Sequence, residues 1–223
     1  ATRDALTPNF NPGCKRLLIS NTWFPALQRP NVQLVTQAVS AITPTGVVGA
    51  DGTLYPCDVI VWGTGFKATE FVAPMRIFGE RAGLAGSSGA GAPVPELGAQ
   101  WRGAPAATRL GITVAGFPNL FMLVGPNTGL GHNSIIFMIE CQVDYIVQAL
   151  KTVRGTQNAV LRLRPDVQQD EYTQIQQKMK ATVWSSGCKS WYQNADGHID
   201  TLWPGYTWEY WLKTRRFQAA DYL

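Results

Sequence analysis

Two stretches of this sequence set glycines directly after an apolar run, a spacing that can bring backbone close to a phosphate or another anion. In the first, Val59-Ile60-Val61-Trp62 leads into Gly63-Thr64-Gly65-Phe66-Lys67-Ala68. This satisfies G-x-G-x-x-[G/A] after a strand, the opening of a dinucleotide-binding βαβ unit. The reading fails on length. A parallel crossover needs about a dozen residues or more, and Pro74 leaves only 69–73 free to be helical, although Glu80 lies where a ribose-binding acid would. In the second, Leu120–Val124 runs through the turn Gly125–Asn133 into a helical pattern that starts near Ser134. Strand, glycine turn and helix together aim unpaired N–H groups and the positive end of a helix dipole at an anion. The lysine of a triphosphate-binding loop is missing. A capped core helix after a tight turn gives the same pattern.

Other side chains have the chemistry without a partner visible in sequence. Lys15-Arg16 offers a permanent cation that could stabilise a developing anion, or it could be an exposed basic pair at a strand edge. Trp191 presents an indole N–H on a large apolar plate, which suits either a cofactor pocket or core packing. His132 stands alone and reads as a structural hydrogen bonder that shapes its turn. With two histidines, and cysteines at 14, 57, 141 and 188 in no C-x-x-C spacing, no metal site is expected and the thiols should be free.

Composition narrows the classes. A formal charge of +4 with scattered basic residues argues against nucleic-acid binding. No signal pattern and no apolar run of about 18 residues is found, so a spanning segment is not expected and a cytoplasmic location is. Charged residues are only 15% of the chain, a low share for a free-standing surface, which suggests that part of the outside meets further protein. The aromatic tail Trp203–Phe217 reads as a packed surface segment rather than a lipid contact.

The elements that must position these residues are an α/β set. Strands are expected over Arg16–Ser20, Val32–Val35, Val39–Ile42, Val47–Gly49, Thr53–Tyr55, Val59–Trp62 and Leu120–Val124, with Asp51-Gly52 as a hairpin turn. The continuous run Val59–Trp62 reads as a strand covered on both faces. Gly83–Pro95 reads as an inserted loop. A helix is expected over Ser134–Val153, capped by Asn133 or Ser134 and stopped by Gly155. Another is expected over Asp166–Ser186, opened by Pro165 and ended by Gly187, with Tyr172, Ile175, Met179 and Val183 on its inner face. Residues 188–223 read as irregular.

Six short motifs in order, across nearly the whole chain, resemble the class B flavoprotein monooxygenases, the Baeyer-Villiger and flavin-containing monooxygenases. They are Pro12-Gly13-Cys14-Lys15-Arg16 with Pro30-Asn31-Val32; Gly63-Thr64-Gly65-Phe66; Gly116-Phe117-Pro118-Asn119-Leu120-Phe121 with Gly125-Pro126-Asn127; His132-Asn133-Ser134 with Glu140-Cys141-Gln142; Cys188-Lys189-Ser190-Trp191-Tyr192; and Trp203-Pro204-Gly205. The family's two G-x-G-x-x-G loops and its F-x-G-x-x-x-H-x-x-x-[W/F] fingerprint are not present. The resemblance therefore implies the C-terminal half of a longer enzyme: the end of an NADP-binding domain over 1–60 and the C-terminal part of an FAD-binding domain over 61–223, a partial two-dinucleotide-domain flavoprotein with long helices.

The same resemblance implies FAD and NADP as cofactors. Arg16 would be the active-site cation beside the reacting flavin, Lys15 and Trp191 would contact NADP, Asn127, Gly129, His132, Asn133 and Ser134 would lie along the flavin, and Thr64 and Gly65 would be cofactor-binding positions. The implied reaction inserts one oxygen of O2 into ketones or related carbonyl compounds. The implied partner is the missing N-terminal half, without which the chain is expected to be inactive. Two other readings stay open: a flavin-containing monooxygenase acting on soft nitrogen or sulfur, which would not need Arg16, and a non-catalytic interaction module derived from such an enzyme.

Overall fold

The computed structural model describes residues 2–81, 93–157, 159–187, 189–194 and 196–223. Most of Gly83–Pro95, and Cys188, lie outside them. The chain divides into two compact units, the first formed by Ala1–Phe10 and Leu17–Phe66, the second by Asn11–Arg16 and Lys67–Leu223.

In the first unit, short helices α1 (Thr2–Leu6) and α2 (Trp23–Leu27) accompany a three-stranded antiparallel sheet. Its strands are β1 (Val39–Thr43), β2 (Gly46–Gly49) and β3 (Leu54–Pro56), in the order β1-β2-β3. The β2–β3 hairpin turns at Asp51-Gly52 as expected. Gly52 takes φ +83°, where a side chain would be strained, and the Asp51 carboxylate accepts the Thr53 N–H at 3.0 Å and its hydroxyl at 2.9 Å. These bonds hold the Asp51 carboxyl below the usual carboxylate range.

Three expected strands of this region do not form. Residues 17–20, 32–35 and 59–62 are irregular, and the apolar runs lie open: Ile19 is fully exposed and Val61 is 89% exposed. A continuous apolar run becomes a buried strand only where neighbouring strands and covering helices exist, and no strand of the three-stranded sheet pairs with these segments.

The second unit is built on helices. α3 (Leu97–Gln100) is a single turn. α4 (Ile135–Val153) buries Met138, Cys141, Gln142, Tyr145 and Ala149, a three- and four-residue spacing that gives one inner face. Gly155, at φ +85°, follows its end. α5 (Pro165–Met179) starts at Pro165 as expected and buries Tyr172, Ile175 and Met179, but it stops well short of Gly187. Thr182 and Ser185 both donate hydroxyl bonds to the Met179 carbonyl, at 2.7 and 2.8 Å, and a 3-10 turn over Val183–Ser185 takes over. α6 (Thr207–Thr214) was not foreseen in a segment read as irregular. It is opened by a capping box in which Glu209 accepts the Tyr206 N–H at 3.0 Å, and it buries Tyr210 and Thr214. Leu120–Val124 is not a strand either. The Met122 N–H bonds the Ile112 carbonyl at 2.8 Å inside a web of turns.

The main core joins Leu110, Ile112, Met138, Tyr145, Ile175, Trp203 and Tyr210. It is tied by polar groups that find partners inside it. Arg109 lies 2.7 Å from both Glu171 of α5 and Asp221 near the C-terminus, and Gln142 donates to the Tyr210 hydroxyl at 3.0 Å. Among the described residues no helix is long and apolar enough to cross a membrane. Cys57 and Cys141 are free, whereas buried Cys14 is disulfide-bonded, against the expectation of free thiols throughout.

Candidate functional site

The loop from Val124 to Ser134 is held by bonds that its sequence alone does not reveal. Val124, β-branched, sits at φ +55°, a conformation rare for such a residue and usually tied to a local demand. Its N–H is fixed by the side-chain oxygen of buried Gln142 on α4 at 2.9 Å. Asn127, at φ +59° and 3% exposed, donates its amide to the carbonyls of Ile199 and Leu202 at 2.8 and 3.2 Å, and its backbone N–H to the Asp200 carbonyl at 2.6 Å. Gly129 then forms a parallel bridge with Leu202, and a Cβ there would meet the Thr201 carbonyl at 2.6 Å. Glycine at 129 is a steric requirement.

The strand-like segment 199–203 is anchored in turn. The Asp200 carboxylate, 2% exposed, accepts the Tyr172 hydroxyl at 3.0 Å and the Ala106 N–H at 3.2 Å. Burial nonetheless pushes its pKa above the usual carboxylate range, making it a weaker acid.

Against this frame lies a cavity of about 350 Å³ whose lining includes Arg16, Phe71, Gly129, Ile135, Trp191 and Tyr192. Arg16 reaches it from the segment Asn11–Arg16 and donates Nη1 to the Leu130 carbonyl at 3.0 Å, across 114 positions of sequence. Trp191 lies tilted against Tyr192 with ring centroids 4.7 Å apart. Apart from Arg16, Trp191, Tyr192 and Thr201, the lining is glycine and apolar residues, and both Arg16 and Trp191 are exposed, so the guanidinium is a fixed cation at an open, mostly apolar cavity. A larger cavity, about 710 Å³, shares Phe71 and is lined among others by Trp101, Arg102 and Asp200. It holds none of the residues singled out by sequence.

Three of those residues, Arg16, Gly129 and Trp191, therefore share one cavity, and Asn127 fixes the loop beneath it. Lys15 is exposed beside Arg16. His132, Asn133 and Ser134 lie at the exposed entry to α4, not in the cavity wall. His132 stacks on Trp184 at 6.4 Å, and Asn133 bonds Thr207 at 3.1 Å while its side-chain oxygen takes the Ser134 N–H at 2.8 Å. No side chain caps the first turn of α4, so the expected cap by Asn133 or Ser134 reduces to that one bond. Thr64 and Gly65 belong to the first unit, both exposed, with Gly65 at φ +83°. Sequence reasoning missed Phe71, Leu130 and Tyr192. Tyr192 sat inside a quoted motif and Leu130 inside the turn Gly125–Asn133; nothing marked Phe71.

No family model matches the chain. It is 40% identical over 222 residues to a Baeyer-Villiger monooxygenase of Pseudomonas aeruginosa, an alignment covering 99% of this chain and 40% of that protein. It is 36% identical over 225 residues to an FAD-binding monooxygenase of Aspergillus niger, covering 99% and 35%. The fold matches that of an oxidized steroid monooxygenase bound to NADP with a TM-score of 0.78 and 26% identity, over 96% of this chain and 38% of that one. The chain spans about two fifths of the length of the relatives it matches. Over its whole length this chain is thus similar in sequence to part of Baeyer-Villiger and FAD-binding monooxygenases, and in fold to part of a steroid monooxygenase.

Proposed function

We propose that this chain is the C-terminal portion of an FAD- and NADPH-dependent monooxygenase that inserts one oxygen of O2 into ketones or related carbonyl compounds. The observation that carries this reading is the guanidinium of Arg16, fixed on the Leu130 carbonyl in the same small cavity as Gly129 and Trp191. The FAD-binding and NADP-bound relatives support the choice of cofactors.

The donor set suits them. A flat heteroaromatic ring that carries negative charge when reduced matches a cavity with apolar faces, one permanent cation, glycine backbone and the uncapped start of α4 at Ile135. Bound FAD would supply the redox chemistry, taking hydride from NADPH and activating O2. The residues of this chain contribute positioning and charge. Arg16 holds negative charge that develops at the reacting centre. Asn127 and Gly129 set the loop along the flavin, with His132, Asn133 and Ser134 at its outer end. Lys15 and the Trp191 indole contact NADP. The side chains of Phe71, Ile135 and Leu202 exclude water.

On this reading residues 1–60 close an NADP-binding domain and 61–223 complete an FAD-binding domain, with the remaining part of the enzyme as the chain's partner. In the full gene product, Arg16→Ala should lower ketone oxygenation by about 100- to 1000-fold, the usual loss for a donor aimed at developing charge, while sulfoxidation persists. Equal loss of both activities, or of neither, would contradict the role of Arg16.

A further inference from the structure

Arg16 is an arginine on an extended segment, and such a side chain has many rotamers to lose before it can act as a fixed cation. The Leu130 carbonyl fixes one nitrogen. A second hold comes from a residue with no assigned part in the reaction. Tyr192 is 2% exposed, in a cluster with Met179, Ile199 and Leu202. Its ring is gripped edge-on by Trp184 at 6.4 Å and faced by Trp191 at 4.7 Å. The Thr201 hydroxyl donates to its backbone carbonyl at 2.9 Å. Its phenol oxygen points to the turn that receives Arg16: a Cβ built on Gly131, next to Leu130, would lie 3.8 Å from it. Tyr192 and Arg16 line the same cavity.

We infer that Tyr192 is the positioning residue of Arg16, its hydroxyl and the Leu130 carbonyl together holding the guanidinium in place before any cofactor binds. A guanidinium can only donate, so the Tyr192 oxygen accepts, and the phenol proton is left as a neutral donor beside the cation. The aromatic row Trp184-Tyr192-Trp191 then serves two ends. It locks the phenol in one place, and it ties the Trp191 plate to the same anchor, so the cation and the indole are set relative to each other by one side chain. Electrostatics agree: burial pushes the Tyr192 phenol up, and the charge and hydrogen bond of Arg16 pull it down. Met179, Ile199 and Leu202 around it carry no charge, and Arg16 is the charged group that acts on it.

The functional weight of this anchor rests on the role given to Arg16 above, but the anchor can be measured without turnover. In the isotopically labelled 223-residue chain, Tyr192→Phe keeps the ring and removes the oxygen. The Arg16 side-chain N–H groups should exchange with water about tenfold faster or more, the loss of one hydrogen bond to a charged group. The backbone amide shifts of Thr201 and Leu202 should stay in place. Unchanged exchange at Arg16 overturns the inference. The reciprocal variant leaves the aromatic row intact should Tyr192→Phe fold poorly: Arg16→Ala should move the Tyr192 phenol titration, followed at its ring carbon, to higher pH, and an unmoved titration overturns it equally. In the full gene product, Tyr192→Phe should raise KM for NADPH more than it lowers kcat. If the anchor is measured but Arg16→Ala leaves ketone oxygenation intact, the proposed reaction fails and the anchor stands.

Discussion

The sequences around Val59–Phe66 and Leu120–Ser134 look alike, each an apolar run that ends in a glycine turn, yet they have opposite fates. Around Leu120–Ser134 the chain satisfies the backbone and buries Gly125–Thr128 and Leu130, although Leu123 and Val124 stay 49 and 39% exposed. Gln142 takes the Val124 N–H, Asn127 and Gly129 lock onto 199–203, and the Asp200 carboxylate holds that segment from behind. Around Val59–Phe66 nothing comparable closes. Val61, Trp62 and Phe66 are 89, 67 and 95% exposed, and Gly65 has open space around it. Hydrophobic runs of equal strength thus become a site or a bare edge according to whether the rest of the same chain can satisfy the backbone and cover the side chains. A chain that spans two fifths of its relatives' length is where such a contrast is expected.

The sharpest way to break this comparison is to remove a lock from the closed region. Asn127→Ala removes the side-chain donor from the Leu202 carbonyl, leaves the Ile199 carbonyl to Gln176 at 3.3 Å, and puts a side chain with no local hydrogen bond at φ +59°. The expected loss is about 2–4 kcal/mol in urea unfolding of the second unit; a change below the error of the fit would mean the loop does not depend on 199–203.

A pH measurement sharpens the same point. Burial raises the Asp200 pKa above its unfolded value of 3.8, so the folded state binds the proton more tightly. Stability from this group is greatest below 3.8 and declines as pH rises through the folded value, because the ionised carboxylate is the form that burial disfavours. The difference in unfolding free energy between wild type and Asp200→Asn should fall with rising pH across that window and flatten above it. A difference that rises would show that the bonds from Tyr172 and Ala106 outweigh desolvation, and one that does not vary that they balance it.

The smallest effect belongs to the open region. Val61→Ser should change the stability of the 223-residue chain by no more than about 0.5 kcal/mol, as for other uncovered surface positions. A loss of several times that, read by thermal unfolding, would mean the run is covered after all.

Much of this was legible in the residues. Asp51-Gly52 announced its hairpin because only a few residues tolerate that turn, and α4 and α5 announced themselves by spacing and by Gly155 and Pro165. The end of α5 was not legible, because it depends on two hydroxyls competing for the Met179 carbonyl. α6 was hidden because a Tyr206–Glu209 capping box lacks the usual Ser or Thr. The strands failed for a different reason: an apolar run reports that it wants cover, not whether cover exists. At the site, motif order drew attention to Arg16, Gly129 and Trp191, but neither the bond from Arg16 to Leu130, 114 positions away, nor the wall residue Phe71 leaves a local signal.

The measurement that tests the central claim most directly is ketone-dependent NADPH oxidation, with product analysis, on the full gene product and on the 223-residue chain supplied with FAD. The account predicts an ester or lactone from the full product and no substrate-dependent oxidation by the chain alone. Robust turnover by the chain alone, or a full product that oxidises NADPH without oxygenating the ketone, would contradict it.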